Sequence, residues 1–139
     1  MFLLDTNVLS AMMSTRFVPE VAAWVSGQQA ELLFTAAVCQ AEILAGLAIM
    51  PEGRRRSDLE AAAQAMFIED FEGRVLPFDR AAAVAYGDLF AARRRAGRPA
   101  ATVDLMIASV ARCNGASVVT RNIADFDECG IAVVNPWRT

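Results

Sequence analysis

In this chain of 139 residues, three carboxylates occupy positions that suit metal binding or catalysis: Asp5, Glu42 and Asp104. Asp5 follows residues 2–4 (FLL), a short apolar run typical of a buried strand. Sites in open α/β sheets lie beyond the carboxyl ends of the strands, so this position suits function. Carboxylate oxygens suit Mg²⁺ or Mn²⁺, and such a cation can activate water and stabilise charge that develops on a phosphodiester.

Each of the three carboxylates also has a purely structural explanation. Asp5 suits the cap of the helix that follows it, and Asp104 in a first turn would offset the positive end of its helix. Glu42 is predicted to face inward, where an unpaired charge is costly and needs a metal or a salt-bridge partner. The apolar neighbours that indicate inward placement are Val38, Ala45 and Ile49 around Glu42, and Ile107, Ala108 and Ala111 around Asp104.

Two absent residue types narrow the possible chemistry. The chain has no histidine, and all 13 basic residues are arginine. Without histidine there is no Ser-His-Asp triad and no histidine-ligated zinc. Without lysine there is no P-loop, and a phosphatase that uses Asp5 as nucleophile is disfavoured because such enzymes usually place a lysine beside the aspartate. The remaining catalysts are carboxylates, amides, hydroxyls, thiols and arginine.

The formal net charge is −3 and the sequence pI is about 4.9, so nucleic acid would have to be bound by local arginine patches or a metal. The arginines of segments 54–56 and 93–98 are the obvious clusters, although a solvated helix face explains them equally well. Cys39, Cys113 and Cys129 form no CxxC pair and are expected to be reduced thiols. With no membrane span or signal peptide in the sequence, we expect a cytoplasmic protein.

Short apolar runs alternate with helical patterns along the chain, which predicts an α/β fold on a mostly parallel sheet. The pattern indicates one domain, residues 1–139, with helices capped by Thr6, Asp79 and Thr102. The predicted strands are 2–4, 32–35, 74–77, 117–120 and 131–134. The predicted helices are 6–13, 19–27, 38–49, 54–70, 79–96 and 102–113.

Several segments together resemble the PIN-domain family, and most closely its VapC/FitB-type toxins of bacterial toxin–antitoxin pairs. The general PIN segments are 3–7 (LLDTN), 41–42 (AE), 102–108 (TVDLMIA) and 119–122 (VTRN). Segments 76–79 (LPFD) and 133–137 (VVNPW) resemble the FitB branch in particular. Each segment is short, but their order and intervals over nearly the whole chain are specific.

The resemblance implies a three-layer α/β/α domain and Mg²⁺- or Mn²⁺-dependent ribonuclease activity. Asp5, Glu42 and Asp104 match the three core acidic positions, as catalytic and metal-binding residues. The metal-activated water would attack the phosphodiester and leave 5′-phosphate and 3′-hydroxyl ends. Side chains that would support the carboxylates or metal-bound water by hydrogen bonds are Asn7, Thr120 and, less strongly, Thr6.

A fourth family position, which is often acidic, falls at Asn122. An amide can ligate a metal or orient water but adds no negative charge, so the resemblance implies weaker metal affinity here. Asp125, three residues later, is a possible substitute, although local capping explains it as well. Asn122 and Asp125 are therefore the two candidates for the fourth corner of the site.

The resemblance also implies a small VapB- or FitA-like antitoxin, operator DNA bound only through that antitoxin, and a homodimer. The apolar helices of segment 18–71 are expected to supply either a dimer face or an antitoxin groove. The alternative to an enzyme is a catalytically weak or silent PIN-fold module that acts in a regulatory complex. Asn122 and the acidic pI favour this alternative.

Overall fold

The computed structural model describes residues 1–138, whose strands form one five-stranded sheet. The strands are β1 (Phe2–Leu4), β2 (Leu33–Ala36), β3 (Val75–Leu76), β4 (Ser117–Val119) and β5 (Val133–Val134). Their spatial order is β3-β2-β1-β4-β5, and all four neighbouring pairs are parallel. The predicted, mostly parallel sheet is confirmed, and β1 is its central strand.

Six α-helices connect the strands, as parallel pairing requires. Shorter 3-10 helices span Ala30–Leu32 and Ile123–Phe126. No helix among residues 1–138 combines the length and the apolar character that a membrane span needs. The α-helices are α1 (Thr6–Met13), α2 (Pro19–Ser26), α3 (Ala37–Ala48), α4 (Arg54–Ala65), α5 (Arg80–Arg95) and α6 (Thr102–Asn114).

The central strands are covered on both faces. Successive side chains of a strand point to opposite faces of the sheet. Leu3 and Leu4 are both fully buried, as are Val118 and Val119 of the adjacent strand. Helices therefore pack on both sides of the sheet, which confirms the predicted α/β/α layers.

Helix ends were predicted correctly where the side-chain chemistry is specific. Asp79 caps α5 by accepting a hydrogen bond from the backbone N–H of Ala82. Gly115 ends α6 in the left-handed conformation (φ 66°), which lets the next N–H bond back to Ala111 and turns the chain into β4. Thr6 and Thr102, however, are the first helical residues rather than caps. The cap of α1 is Asp5.

The predicted helix 54–70 is α-helical only to Ala65, and Met66–Asp70 forms a π-helical turn. Met66 and Phe67 are buried in this turn and anchor it to the core. Most of the other elements differ from prediction by one or two residues at one or both ends, which is the usual uncertainty of helix and strand boundaries. Cys39 and Cys129 are buried, Cys113 is exposed, and all three are free thiols, as expected.

Candidate active site

Asp5 lies directly after the central strand, and its backbone N–H donates to the Val119 carbonyl of β4 at 2.9 Å. Its side chain is only 5% exposed. One carboxylate oxygen accepts from the N–H of Thr6 at 2.7 Å, which is the helix cap. The structural explanation for Asp5 is thus correct, and it leaves the second oxygen facing the end of β4.

That second oxygen is held by Thr120 and Asn7. The Thr120 hydroxyl donates to Asp5 Oδ2 at 2.7 Å, and the Asn7 amide approaches the same oxygen at 3.3 Å. Asn7 also donates to Thr120 Oγ1 at 3.1 Å and accepts from the N–H of Arg121 at 3.2 Å. These bonds join the ends of β1 and β4 and fix the orientation of the Asp5 carboxylate.

Glu42 lies in α3, and its side chain is exposed, so the prediction that it faces inward is wrong. The buried stripe of α3 consists of Cys39, Ile43 and Leu47, one position further round the helix. Glu42 nevertheless reaches the end of β1, because the Thr6 hydroxyl donates a hydrogen bond to Glu42 Oε1. Thr6 therefore orients this carboxylate rather than capping its helix.

Asp104 lies in the first turn of α6 and is half-buried, while Ile107, Ala108 and Ala111 on its helix face are fully buried. Burial raises the pKa of Asp104 to about 6, with further increases from the charges of Asp125, Asp5 and Glu42 that the Arg93 guanidinium only partly offsets. The three predicted carboxylates and Asp125 are thus close enough to interact electrostatically.

Burial also raises the pKa of Asp5 above its ordinary value. Hydrogen bonds from Thr120 and Thr6 favour the charged form and oppose the increase, whereas the negative charges of Glu42 and Asp125 add to it. Both buried acids therefore lie in an excess of negative charge. A bound cation would relieve that repulsion.

The carboxylates open into one cleft of about 610 Å³. Asp5, Glu42, Asp104 and Asn122 all contribute to its lining, as do Thr6 and Asn7. Asp125 is half-buried in the 3-10 helix beside the cleft and influences it through charge rather than by lining it. Thr120 is fully buried beneath the site.

The donor set fits a cation that keeps much of its water. Among residues 1–138, no three acidic, cysteine or histidine side chains are spaced closely enough to hold a metal ion by themselves. Mg²⁺ is commonly bound through one or two carboxylates, with waters and substrate phosphates completing its coordination. Carboxylates that face an open cleft meet this requirement, whereas a dehydrated metal cage would not fit.

A larger groove of about 780 Å³ adjoins the cleft and shares Thr6, Ser10, Ser14 and Glu42 with it. Its walls come from α1, α3 and α4, and of these helices α3 and α4 belong to segment 18–71, which we expected to bind another chain. Apolar lining residues include Met13, Ile43, Leu47, Met50 and Leu59.

Sequence reasoning missed the role of Arg93, which we grouped with possible solvent-facing arginines. Its side chain is 5% exposed. The guanidinium donates to the carbonyls of Arg98 at 2.6 Å, Asp127 at 2.7 Å and Ala124 at 3.2 Å. Arg93 thereby ties the segment that carries Asp125 to the end of α5. Helical spacing could have found it, because Arg93 lies four residues after Leu89 on the buried stripe of α5, whereas Arg94 and Arg95 are exposed.

Comparisons with known proteins identify the family of the chain. The model of the PIN domain family matches residues 2–130. The plasmid stability protein StbB of Pseudomonas syringae pv. tomato is 38% identical over 138 residues, which cover 99% of each chain. The VapC ribonuclease Y4jK of Sinorhizobium fredii is 36% identical with the same coverage.

Two solved structures are also similar over nearly full length. The crystal structure of FitAcB from Neisseria gonorrhoeae matches with a TM-score of 0.93 and 31% identity, covering 100% of both chains. The structure of FitAB bound to an IR36 DNA fragment gives the same TM-score and identity, covering 100% of this chain and 97% of the other. The chain belongs to the PIN-domain family and, within it, to the VapC/FitB-type toxins.

Proposed function

We propose that the protein is a Mg²⁺- or Mn²⁺-dependent endoribonuclease, acting in the cytoplasm as the toxin of a toxin–antitoxin pair. The observation that carries the proposal is the meeting of Asp5, Glu42 and Asp104 in one cleft. None of the ion pairs found among residues 1–138 involves these carboxylates. Acids gathered without a basic partner are suited to a cation. The naming of a close relative as a VapC ribonuclease supports RNA as the substrate.

In this proposal, Asp5 and Asp104 hold the cation, and the Thr120 and Asn7 hydrogen bonds keep Asp5 in its binding orientation. Glu42 is exposed to the cleft and helps to take the proton that the attacking water loses. When bound, Mg²⁺ or Mn²⁺ lowers the pKa of water and stabilises charge on the phosphate oxygens. Because the chain has no histidine for transphosphorylation, the expected products carry 5′-phosphate and 3′-hydroxyl ends.

The direct test is cleavage of RNA in Mn²⁺ or Mg²⁺, with EDTA added to stop it. Asp5→Asn and Asp104→Asn each remove one ligand charge and should lower the rate by about 100-fold or more. Asp88→Asn makes the same chemical change at an exposed position of α5 outside the cleft and should leave the rate unchanged. Full activity of a pure Asp104→Asn preparation would contradict the proposal.

The partner in this proposal is a small antitoxin that blocks the cleft and carries the pair to operator DNA. Support comes from FitAB, a relative whose structure is known with a DNA fragment. The groove beside Glu42 is the surface that we assign to that partner, and a homodimer remains our expectation. A short reading frame for a DNA-binding protein next to this gene would support the assignment.

The second candidate is a PIN-fold binding module with little or no catalytic activity. Asn122 favours it, since the amide lines the cleft where the family often has an acid. Calorimetric titration with Mn²⁺ separates the two candidates, because a nuclease requires a saturable metal site and RNA cleavage that follows its occupancy.

For a phosphatase, Asp5 would have to act as the nucleophile, but it is 5% exposed and hydrogen-bonded through both oxygens, which is poor access for in-line attack.

A further inference from the structure

Two arginines, Arg16 and Arg121, line the same cleft as the carboxylates. Neither forms an ion pair with an acidic side chain in the described part of the chain, residues 1–138. Arg121 is exposed, and its guanidinium lies over the ring of Trp137, 5.3 Å from the ring centroid. Trp137 lines the cleft as well. An arginine next to a carboxylate site is thus held by an aromatic ring instead of an acid.

Arg121 and Trp137 are both anchored by hydrogen bonds from their backbone N–H groups. The N–H of Arg121 donates to Asn7 Oδ1 at 3.2 Å, and Asn7 is one of the two side chains that hold Asp5. The N–H of Trp137 donates to Asn135 Oδ1 at 2.9 Å, and its ring packs against the core. The backbone of Arg121 is therefore held by the same Asn7 side chain that helps to orient Asp5.

When an aromatic ring lies against the flat face of a guanidinium, the N–H groups at the guanidinium edge stay available to donate hydrogen bonds to a ligand. Arginine stacks on aromatic faces and still presents N–H donors in a planar fork that matches phosphate geometry. Restriction of the side chain by the ring also lowers the entropy that binding would otherwise cost. In a protein with a net charge of −3, an unpaired cation at the cleft is a local means of attracting a polyanion.

We propose that Arg121, positioned by the Trp137 ring, binds a backbone phosphate of the RNA strand beside the phosphodiester that lies at the carboxylates. The inference rests on the proposed function, since it assigns the residue that holds the same substrate. Arg121 contacts the phosphate directly, whereas Trp137 acts through Arg121.

The test measures binding apart from cleavage. Anisotropy of a fluorescein-labelled single-stranded RNA oligonucleotide is recorded in EDTA and again in Ca²⁺, with the RNA checked for integrity afterwards. Arg121→Ala should weaken binding by about tenfold and lower the slope of log K against log salt by about 0.7, the contribution of one phosphate contact on a single strand. Trp137→Phe keeps an aromatic face and should bind nearly as the unchanged protein does, while Trp137→Ala should lose affinity.

Two further measurements distinguish direct RNA contact by Arg121 from a loss of folding stability in Arg121→Ala. Arg80→Ala deletes an exposed arginine outside the cleft and should change neither affinity nor salt slope. In a Trp24→Phe protein, Trp137 is the remaining one of two tryptophans, so its fluorescence should change on adding the RNA. If Arg121→Ala lowers only the Tm, or if the unchanged protein binds no RNA in either condition, the proposal is wrong.

The RNA-binding test of Arg121 can fail or succeed independently of the cleavage test of the proposed nuclease. Metal-dependent cleavage together with unchanged RNA binding by Arg121→Ala would overturn the Arg121 assignment alone. An Arg121-dependent affinity without any cleavage in Mn²⁺ would support RNA binding at the cleft and overturn the nuclease.

Discussion

Asn122 follows Arg121 along the chain, and its backbone N–H donates to Thr120 Oγ1 at 3.1 Å. The residue therefore belongs to the end of β4 that also orients Asp5, and its side chain lines the cleft. As an amide it supplies an oxygen without a charge. In the proposed metal site, this residue would influence how strongly the cleft attracts a cation.

We predict that Asn122→Asp tightens Mn²⁺ binding by about tenfold, because a carboxylate near the ion adds Coulomb attraction of roughly 1 kcal/mol even when well solvated. Isothermal titration calorimetry measures the change. Gln64→Glu, which adds one negative charge at an exposed position of α4 away from the cleft, is the control and should have little effect. Unchanged affinity in Asn122→Asp, with loss of binding in Asp125→Asn, would instead make Asp125 the fourth ligand.

The sequence predicted the position of a site residue well where that residue directly follows a strand. It was less reliable for a residue within a helix, whose direction depends on which face of the helix meets the core. Asp5 lies after β1 as the apolar run indicated. Glu42 was misplaced because α3 carries apolar residues on its exposed side too, such as Leu44 (50% exposed) and Ile49 (86% exposed). When a helix is apolar all round, periodicity cannot tell which stripe meets the core.

At the scale of elements, the 3-10 helix Ile123–Phe126 is held in place by Arg93. Buried Phe126 anchors it from within, and the Arg93 guanidinium donates to the carbonyls of Ala124, inside the helix, and Asp127, directly after it. An exposed ion pair, Arg98 with Asp127 at 3.2 Å, adds little because solvent screens it. The placement of Asp125 thus depends on an arginine of a different helix.

We predict that Arg93→Ala destabilises the protein by about 2–4 kcal/mol, because it removes a buried side chain and leaves three partly buried carbonyls without their charged donor. Urea unfolding at fixed pH measures the loss. Arg94→Ala, one residue away and exposed, should change stability by less than about 0.5 kcal/mol. Equal stability of the two variants would show that the bonds to Arg93 contribute nothing.

The ends of helices were predictable where a nearby side chain or glycine determines them. The Asp79 cap and the Gly115 stop are short-range signals, and both ends are correct. The burial of Arg93 was missed although its helical spacing places it on one stripe with Ala85 and Leu89. The π-turn at Met66–Asp70 was not predictable, since it depends on packing between segments far apart in the chain. The sheet order was set by the same kind of long-range contact.

For the whole molecule, the burial of acids beside other negative charges has a cost in stability. The pKa of Asp104 is about 6 in the folded chain against 3.8 ordinarily, and that of Asp5 is also raised. Between these pH values the folded state binds more protons than the unfolded state. Stability therefore falls as the pH rises from about 4 to about 6 and stays lower above that range.

We predict that Asp104→Asn removes part of this decline in metal-free protein. Thermal unfolding in EDTA should give the variant a Tm higher than that of the unchanged protein by roughly 2–4 °C at pH 7, the shift that ~1 kcal/mol produces in a chain of this size. At pH 4.5 the difference should be small. Mn²⁺ should raise the Tm of the unchanged protein more than that of the variant. A difference in Tm that is the same at both pH values would contradict the assigned cause.

The central position of β1 has a consequence for how the protein comes into being on the ribosome. Strand β1 pairs with β4, whose residues 117–119 are translated long after it. Asp5 then depends on Thr120, a residue 115 positions later, for its orientation. A nascent chain that has not yet released β4 lacks this half of the cleft. The proposed nuclease would therefore lack a complete cleft until β4 has been translated and paired with β1.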